Sequence, residues 1–68
     1  MDKQQIEQDV IAAIRPCEGN TDTMISALSN YLPFHWNWVR NQSGILNITS
    51  EAVDIEIRGK NVSFQWKG

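Results

Sequence analysis

Residues 53–66 read VDIEIRGKNVSFQW, and apolar and polar residues alternate on both sides of the Gly59-Lys60 pair. Such alternation is typical of β-strands that bury one face. A two-residue connection with glycine at its first position suits a type II′ turn and predicts a hairpin of strands 53–58 and 62–67. In this register every apolar residue faces another apolar residue. The predicted pairs are Val53 with Trp66, Ile55 with Phe64 and Ile57 with Val62.

The other face of the same hairpin is polar throughout. Its members are Asp54, Glu56, Arg58, Ser63 and Gln65. Acidic groups beside an arginine could form a charge-complementary docking surface, and this is our second candidate binding surface. A sheet face that simply contacts water needs the same composition, so a solvated face is the alternative.

Two further strands are expected upstream, because aromatic and β-branched residues alternate with polar ones over 34–40 and 45–49. A four-residue connection from Thr49 to Ala52 would place Leu46 and Ile48 opposite Ile55 and Val53. The expected sheet is therefore an antiparallel meander with strand order 1-2-3-4.

The first half of the chain has helical periodicity instead. Apolar residues recur every three or four positions between Asp2 and Arg15, with Asp2 as N-cap and Pro16 moving Arg15 out of the helical region. A second helix is expected from a Thr21 cap to Pro33. Its apolar stripe would comprise Met24, Ile25, Leu28, Tyr31 and Leu32. We therefore predict an α+β fold, α-α-β-β-β-β, with two N-terminal helices on one face of a four-stranded antiparallel meander.

Composition limits what such a chain can do. Its 68 residues, with a formal net charge of −2, fit a single small α+β domain spanning 1–68 and argue against a general polyanion binder. Cys17 has no second cysteine to pair with, and the chain has one histidine, so we expect no disulfide, metal or cofactor. The N-terminal residues do not resemble an export signal, and we expect a cytoplasmic protein without a membrane segment.

The segment 31–38 holds four of the six aromatic residues. On a strand its large side chains would share one face and could anchor a protein partner as a hot spot. This is our first candidate partner-binding site: Phe34, Trp36, Trp38 and Arg40. The same residues could join the core, or could stack the bases of a single-stranded nucleic acid, although few basic residues accompany them.

Evidence for catalysis is weak. His35 is the sole candidate general base, and no nucleophile-elbow motif is present, so a surface or capping histidine is the better interpretation and we assign no catalytic residue. Cys17 lies near a helix start and could be reactive, but a small apolar role fits it better.

The leading hypothesis is a non-enzymatic interaction module of the adaptor or inhibitor type, which binds a larger protein or self-associates as a homodimer through an aromatic strand edge. A single-stranded nucleic-acid binder using Trp36, Trp38 and Arg40 is the alternative. An enzyme comes third. The size and element order are also compatible with small accessory proteins of phages and mobile elements, an association that assigns no residue a role.

Overall fold

The computed structural model describes residues 2–33 and 35–68. Two α-helices, α1 (Lys3–Ile14) and α2 (Thr21–Leu28), are joined through a short 3₁₀ turn (Arg15–Cys17). Four strands follow in a single antiparallel sheet of order β1-β2-β3-β4. Their bounds are Asn37–Arg40 for β1, Leu46–Thr49 for β2, Val53–Arg58 for β3 and Asn61–Trp66 for β4. The predicted α-α-β-β-β-β fold is confirmed.

The β3–β4 hairpin has the predicted register. Ile55 pairs with Phe64 and Val53 pairs with Trp66. Gly59 has a φ of 59°, whereas Lys60 does not enter the positive-φ region, which is the combination a type II′ turn requires. The only difference is at the ends of β4, which begins at Asn61 rather than at residue 62 and ends one residue earlier than predicted.

The β2–β3 connection is tighter than predicted. Ser50 Oγ accepts hydrogen bonds from the backbone N–H groups of Ala52 (3.2 Å) and Val53 (3.0 Å), and Ser50 N–H donates to the Val53 carbonyl at 3.0 Å. The serine side chain thus stabilises a turn that is shorter than the predicted one. As a result, each β2 residue pairs with the β3 residue two positions later than predicted. Ile48 faces Ile55, and the predicted pairing of Ile48 with Val53 is wrong. A shift of two residues keeps each side chain on its predicted face.

Helix α1 begins as predicted, with the Asp2 carboxylate accepting from the N–H groups of Gln4 (3.0 Å) and Gln5 (3.3 Å). Its end differs. Arg15 keeps helical dihedrals (φ −56°, ψ −48°) in spite of the following proline, and the chain tightens into a 3₁₀ turn instead of leaving the helix. Pro16 is tolerated there because the first residues of a helical turn need no backbone N–H.

Helix α2 is capped by Asn20, whose side chain accepts from Thr23 N–H at 3.1 Å, so the predicted Thr21 cap is wrong by one residue. It also ends a turn earlier than predicted. The Ser29 hydroxyl donates to the Ile25 carbonyl at 2.7 Å, a side-chain bond that competes with the helical backbone. As a result Tyr31 is 59% exposed, not part of the apolar stripe.

The helices cover one face of the sheet. Helix α1 contacts β4 through a hydrogen bond between Glu7 and Trp66. Helix α2 contacts the loop between β1 and β2, where Thr21 Oγ1 donates to the Gly44 carbonyl at 3.0 Å. Within the described residues, no helix combines the length and apolar character that crossing a membrane requires.

The core lies between the helices and the middle strands. Its apolar side chains are all less than 10% exposed, and those at the centre are fully buried. They are Val10, Ile14, Cys17, Met24, Leu28, Leu32, Trp36, Leu46, Ile48, Val53, Ile55 and Ile57. The β4 residues Val62, Phe64 and Trp66 were expected to be equally buried and are not. They lie at the sheet margin and are only half-buried, because α1 is the outermost helix on that side in the part of the chain that the structure describes.

Candidate interaction surfaces

The first predicted site does not form a continuous strand face. Strand β1 begins at Asn37, so Trp36 precedes it in a turn in which its N–H donates to the Pro33 carbonyl at 3.2 Å. Trp36 is 7% exposed and belongs to the core. Trp36 therefore lies outside the strand predicted over 34–40, although it packs on the same core as Trp38. Phe34 lies outside the described residues.

The other two members of that site face the helix layer. Trp38 is half-buried against the core, and its indole Nε1 atom is buried without a hydrogen-bond acceptor among the described residues. Arg40 forms an ion pair with Asp22 at the start of α2. Both partners of this pair are substantially exposed, and such a pair adds at most about 1 kcal/mol to stability. Its geometric effect is to direct Arg40 toward α2.

The second predicted surface is present as a polar, uncovered sheet face. The register places its residues on the side opposite the helices, as predicted: Asp54, Glu56, Arg58, Ser63 and Gln65. The charged groups on it are paired locally. Arg58 Nε lies 2.8 Å from Glu56 Oε2, and Lys67 Nζ lies 3.0 Å from Asp54 Oδ1. Because each acidic group in these pairs lies beside a basic one, the pairs give this face no excess of one charge sign that a partner of opposite charge could bind.

The outer edge of β4 is a third surface, and the predicted strand order 1-2-3-4 already places the last strand at an edge of the sheet. Lys67 N–H donates to the Ala52 carbonyl at 2.9 Å. Because hydrogen-bonded and non-hydrogen-bonded pairs alternate in an antiparallel ladder, this bond identifies the hydrogen-bonded pairs of β3 and β4. Those pairs are Asn61 with Arg58, Ser63 with Glu56 and Gln65 with Asp54. Backbone groups of successive residues point to opposite sides of a strand. The peptide groups of Val62, Phe64 and Trp66 therefore point outward, where no other strand of the described chain pairs with them.

Apolar side chains border this edge. The rings of Phe64 and Trp66 stack, with centroids 6.5 Å apart and planes inclined by 11°. Two residues of α1 contact the Trp66 side chain. Trp66 Nε1 donates to Glu7 Oε2 at 2.7 Å, and Lys3 Nζ lies 5.6 Å from the centroid of the Trp66 ring. Ile11, on the same side of α1, is 38% exposed. We call the outward peptide groups of Val62, Phe64 and Trp66, with these bordering side chains, the β4 edge.

A depression of about 560 Å³ opens at one end of the sheet. Its lining consists of His35, Trp36, Asn37, Thr49, Ser50, Glu51, Ala52 and Lys67. His35 is exposed there and makes no hydrogen bond to a carboxylate among the described residues. Over the same residues, no group of three or more potential metal ligands comes together. Among the described residues of this lining, the Ser50 hydroxyl donates to the Val53 carbonyl at 2.9 Å.

Cys17 is buried, with 5% of its surface exposed, and its Sγ lies 3.3 Å from the Ala13 carbonyl oxygen, to which the thiol donates. We expect its reaction with a disulfide reagent such as DTNB to be slower in the folded protein than in urea by a factor of roughly 100 or more, because the thiol reacts only after local opening. The absorbance change at matched pH measures both rates. Equal rates would show that Cys17 is accessible and would contradict its place in the core.

No protein-family model, curated protein or solved structure matches this chain. A functional proposal therefore depends on the geometry of its own surfaces.

Proposed function

We propose that this protein is a non-enzymatic protein-interaction module that binds by pairing its β4 edge with a β-strand of a protein partner. The observation that carries the proposal is the row of outward peptide groups at Val62, Phe64 and Trp66, bordered by half-buried apolar side chains. Backbone pairing supplies hydrogen bonds in this mode of recognition, and alternate side chains supply specificity. The proposed compartment is the cytoplasm, as the lone cysteine suggests.

The edge of β1 is less suited to this role. It is four residues long against six for β4, and Arg40 places a charged side chain on it. Charges and short length are the usual means by which proteins prevent edge pairing. Trp36 is buried and cannot anchor a partner without leaving the core. Partner binding through Phe34, Trp36, Trp38 and Arg40 stays a prediction, and the support for binding is stronger at β4.

The predicted residues are not arranged for the single-stranded nucleic-acid alternative. It needs stacked, accessible aromatic rings beside cations, whereas Trp36 is buried and Arg40 is paired with Asp22. Salt separates the two functions, because phosphate contacts release counterions and weaken steeply as salt rises.

The test compares two substitutions at Val62. Val62→Pro removes an outward N–H, which an edge strand tolerates because that N–H has no partner within the sheet. Val62→Ala shortens the side chain and keeps the N–H, and it is the matched control. We expect tagged Val62→Ala to capture the same protein as the unchanged chain, and Val62→Pro to bind it at least about tenfold more weakly. Binding is measured between purified components after identification by mass spectrometry.

Circular dichroism shows whether both variants remain folded. A cross-linking group placed at Gln65 should attach to the captured protein, and one placed at Asn47, in the middle of the sheet, should not. Equal binding by the proline and alanine variants, or cross-linking from Asn47 alone, would show that the β4 edge is not the interaction site.

A further inference from the structure

We infer that the partner of the β4 edge is a second copy of this chain, paired antiparallel about a two-fold axis that passes beside Phe64. This inference rests on the proposed function, since it names the strand that completes the edge. The result is one continuous sheet with four strands from each copy and both helix layers on the same side.

The register follows from the outward peptide groups. Phe64 is the middle residue of the three that point outward, so a two-fold axis there gives complete overlap. Phe64 then pairs with its own copy, and Val62 pairs with Trp66 of the second copy. Each of these pairs exchanges two N–H···O bonds in an antiparallel ladder. Any other antiparallel register leaves at least one outward peptide group unpaired on each copy.

Side chains match across this junction as well. The paired residues Val62, Phe64 and Trp66 all lie on the helix side of the sheet, so their apolar side chains form one row. On the opposite side, Ser63 of one copy faces Gln65 of the other, and polar groups remain in water. The helix side of the joined sheet is therefore apolar along the junction, and the opposite side is polar, as in each copy alone.

The helix layer fits the same arrangement. Neighbouring strands are about 4.8 Å apart, so four strands span roughly 19 Å. Two packed helices at 8–10 Å spacing occupy about the same width. A helix layer of this width would reach β4, in agreement with the contact between Glu7 and Trp66. Joining two sheets at β4 brings the two α1 helices to about packing distance across the junction.

The exposed side of α1 is self-complementary. Glu7, Ile11 and Arg15 follow one another at four-residue spacing and lie on one side of the helix. Glu7 contacts Trp66 at the end of β4, whereas Ile11 and Arg15 line a groove with Lys60 at its beginning. Helix α1 therefore runs antiparallel to β4. The two-fold axis places Glu7 opposite Arg15 of the second copy and Ile11 opposite Ile11.

Two other charges lie nearby. Lys3 is over the Trp66 ring at the Glu7 end, and Lys60 joins Arg15 at the other end. Only Oε2 of Glu7 is engaged by Trp66, so the carboxylate can still attract the Arg15–Lys60 end of a second copy. This attraction is partly offset by Lys3 and lies near solvent, so added salt should weaken the dimer modestly.

Strand β4 also lacks the features that block edge pairing. Residues 61–66 contain no proline and no charged side chain, and the register with β3 continues without a bulge. Lys60 and Lys67 protect only its two ends. Exposed, regular edges of this kind pair with other strands unless they are covered.

Charge reversal tests the inference. Arg15→Glu alone and Glu7→Lys alone each place like charges at both α1–α1 contacts, and we expect each to weaken self-association roughly tenfold. A mixture of the two variants restores opposite charges at both contacts and should form a heterodimer as stable as the original dimer. Sedimentation equilibrium over a range of concentrations measures all three. Glu7→Lys also removes the bond to Trp66, so circular dichroism confirms its fold, and Arg15→Glu gives the same test without that change.

Cysteine cross-linking tests the register, in chains with Cys17 replaced by alanine. Ser63 and Gln65 of the second copy would be a non-hydrogen-bonded pair with Cα atoms about 4.5 Å apart, within disulfide range. Mixing Ser63→Cys with Gln65→Cys should therefore give a cross-linked dimer rapidly. Either variant alone places its cysteines two residues out of register and should cross-link at least about tenfold more slowly.

A chain that stays monomeric up to about 1 mM would overturn the inference, as would a dimer that charge reversal does not affect or that cross-links equally in every combination. Failure of the proposed function is a different result. A monomeric chain that still captures another protein through the Val62 N–H would retain the proposed function with a different occupant. A dimer equally stable in Val62→Pro and Val62→Ala would overturn the inference, because its interface would lie away from the β4 edge.

Discussion

Replacing Trp36 with alanine should lower the free energy of unfolding by about 3–5 kcal/mol, the usual range for truncating a buried tryptophan. A 68-residue domain has roughly 3–10 kcal/mol of stability in total, so this loss is a large part of it and the urea midpoint should fall sharply. The reason is that Trp36 is 7% exposed and fills the core beneath the turn before β1. Urea titration followed by circular dichroism measures the change.

Trp36→Phe is the matched control, because it keeps an aromatic ring in the core and should retain a cooperative unfolding transition. The result also distinguishes core packing from partner binding. A Trp36→Ala chain that stays folded with an unchanged urea midpoint, yet loses a partner, would contradict the core position and restore the sequence-based binding site.

Replacing Ile55 with alanine should have a comparable effect, a loss of about 2–5 kcal/mol. Ile55 is 1% exposed in the second of the two interior strands, where it faces Ile48 on one side and Phe64 on the other. The cavity left behind cannot close easily because strands hold it on both sides. Thermal unfolding monitored by calorimetry gives the measurement.

Phe64→Ala is the informative comparison for Ile55→Ala. Sequence alternation alone makes these two residues equivalent and predicts a loss of about 3–5 kcal/mol for truncating a fully buried phenylalanine. The structure leaves Phe64 half-buried at the sheet margin, so in the monomer we expect a clearly smaller loss than at Ile55. Equal losses at the two positions would show that Phe64 is covered, as it would be in the dimer at high protein concentration.

The fold was predictable because local signals agree with each other. The Gly59-Lys60 turn fixes the hairpin register through one backbone requirement, a positive φ at glycine, and the alternating residues on either side then have only one consistent pairing. The differences arise where a side chain bonds to nearby backbone. Ser50 tightens the β2–β3 turn and Ser29 helps end α2, and periodicity contains no information about such bonds.

The candidate site was less predictable for a related reason. Hydrophobic alternation shows which face of a strand is apolar, but it does not show how far the helices extend over that face. Trp36 and Phe64 are both large aromatic residues in apparent strands, and one is buried while the other is at the margin. Phe64 lies at the margin where Glu7 of α1 contacts Trp66, whereas Trp36 enters the core from the turn before β1. That contact joins residues 59 positions apart, and hydrophobic periodicity within a short stretch of sequence does not predict it.

The Glu7–Trp66 hydrogen bond also affects how the chain folds. The sheet is built entirely from strands adjacent in sequence, so each of its pairings closes a short loop. Docking α1 on β4 closes a loop of 59 residues, which costs about 1.6 kcal/mol more in chain entropy than closing a ten-residue loop. Folding rates fall as contacts become more distant in sequence, so we expect this contact to form late. A short peptide linker between residues 2 and 67 would remove most of that entropy loss and would speed folding without altering a core side chain.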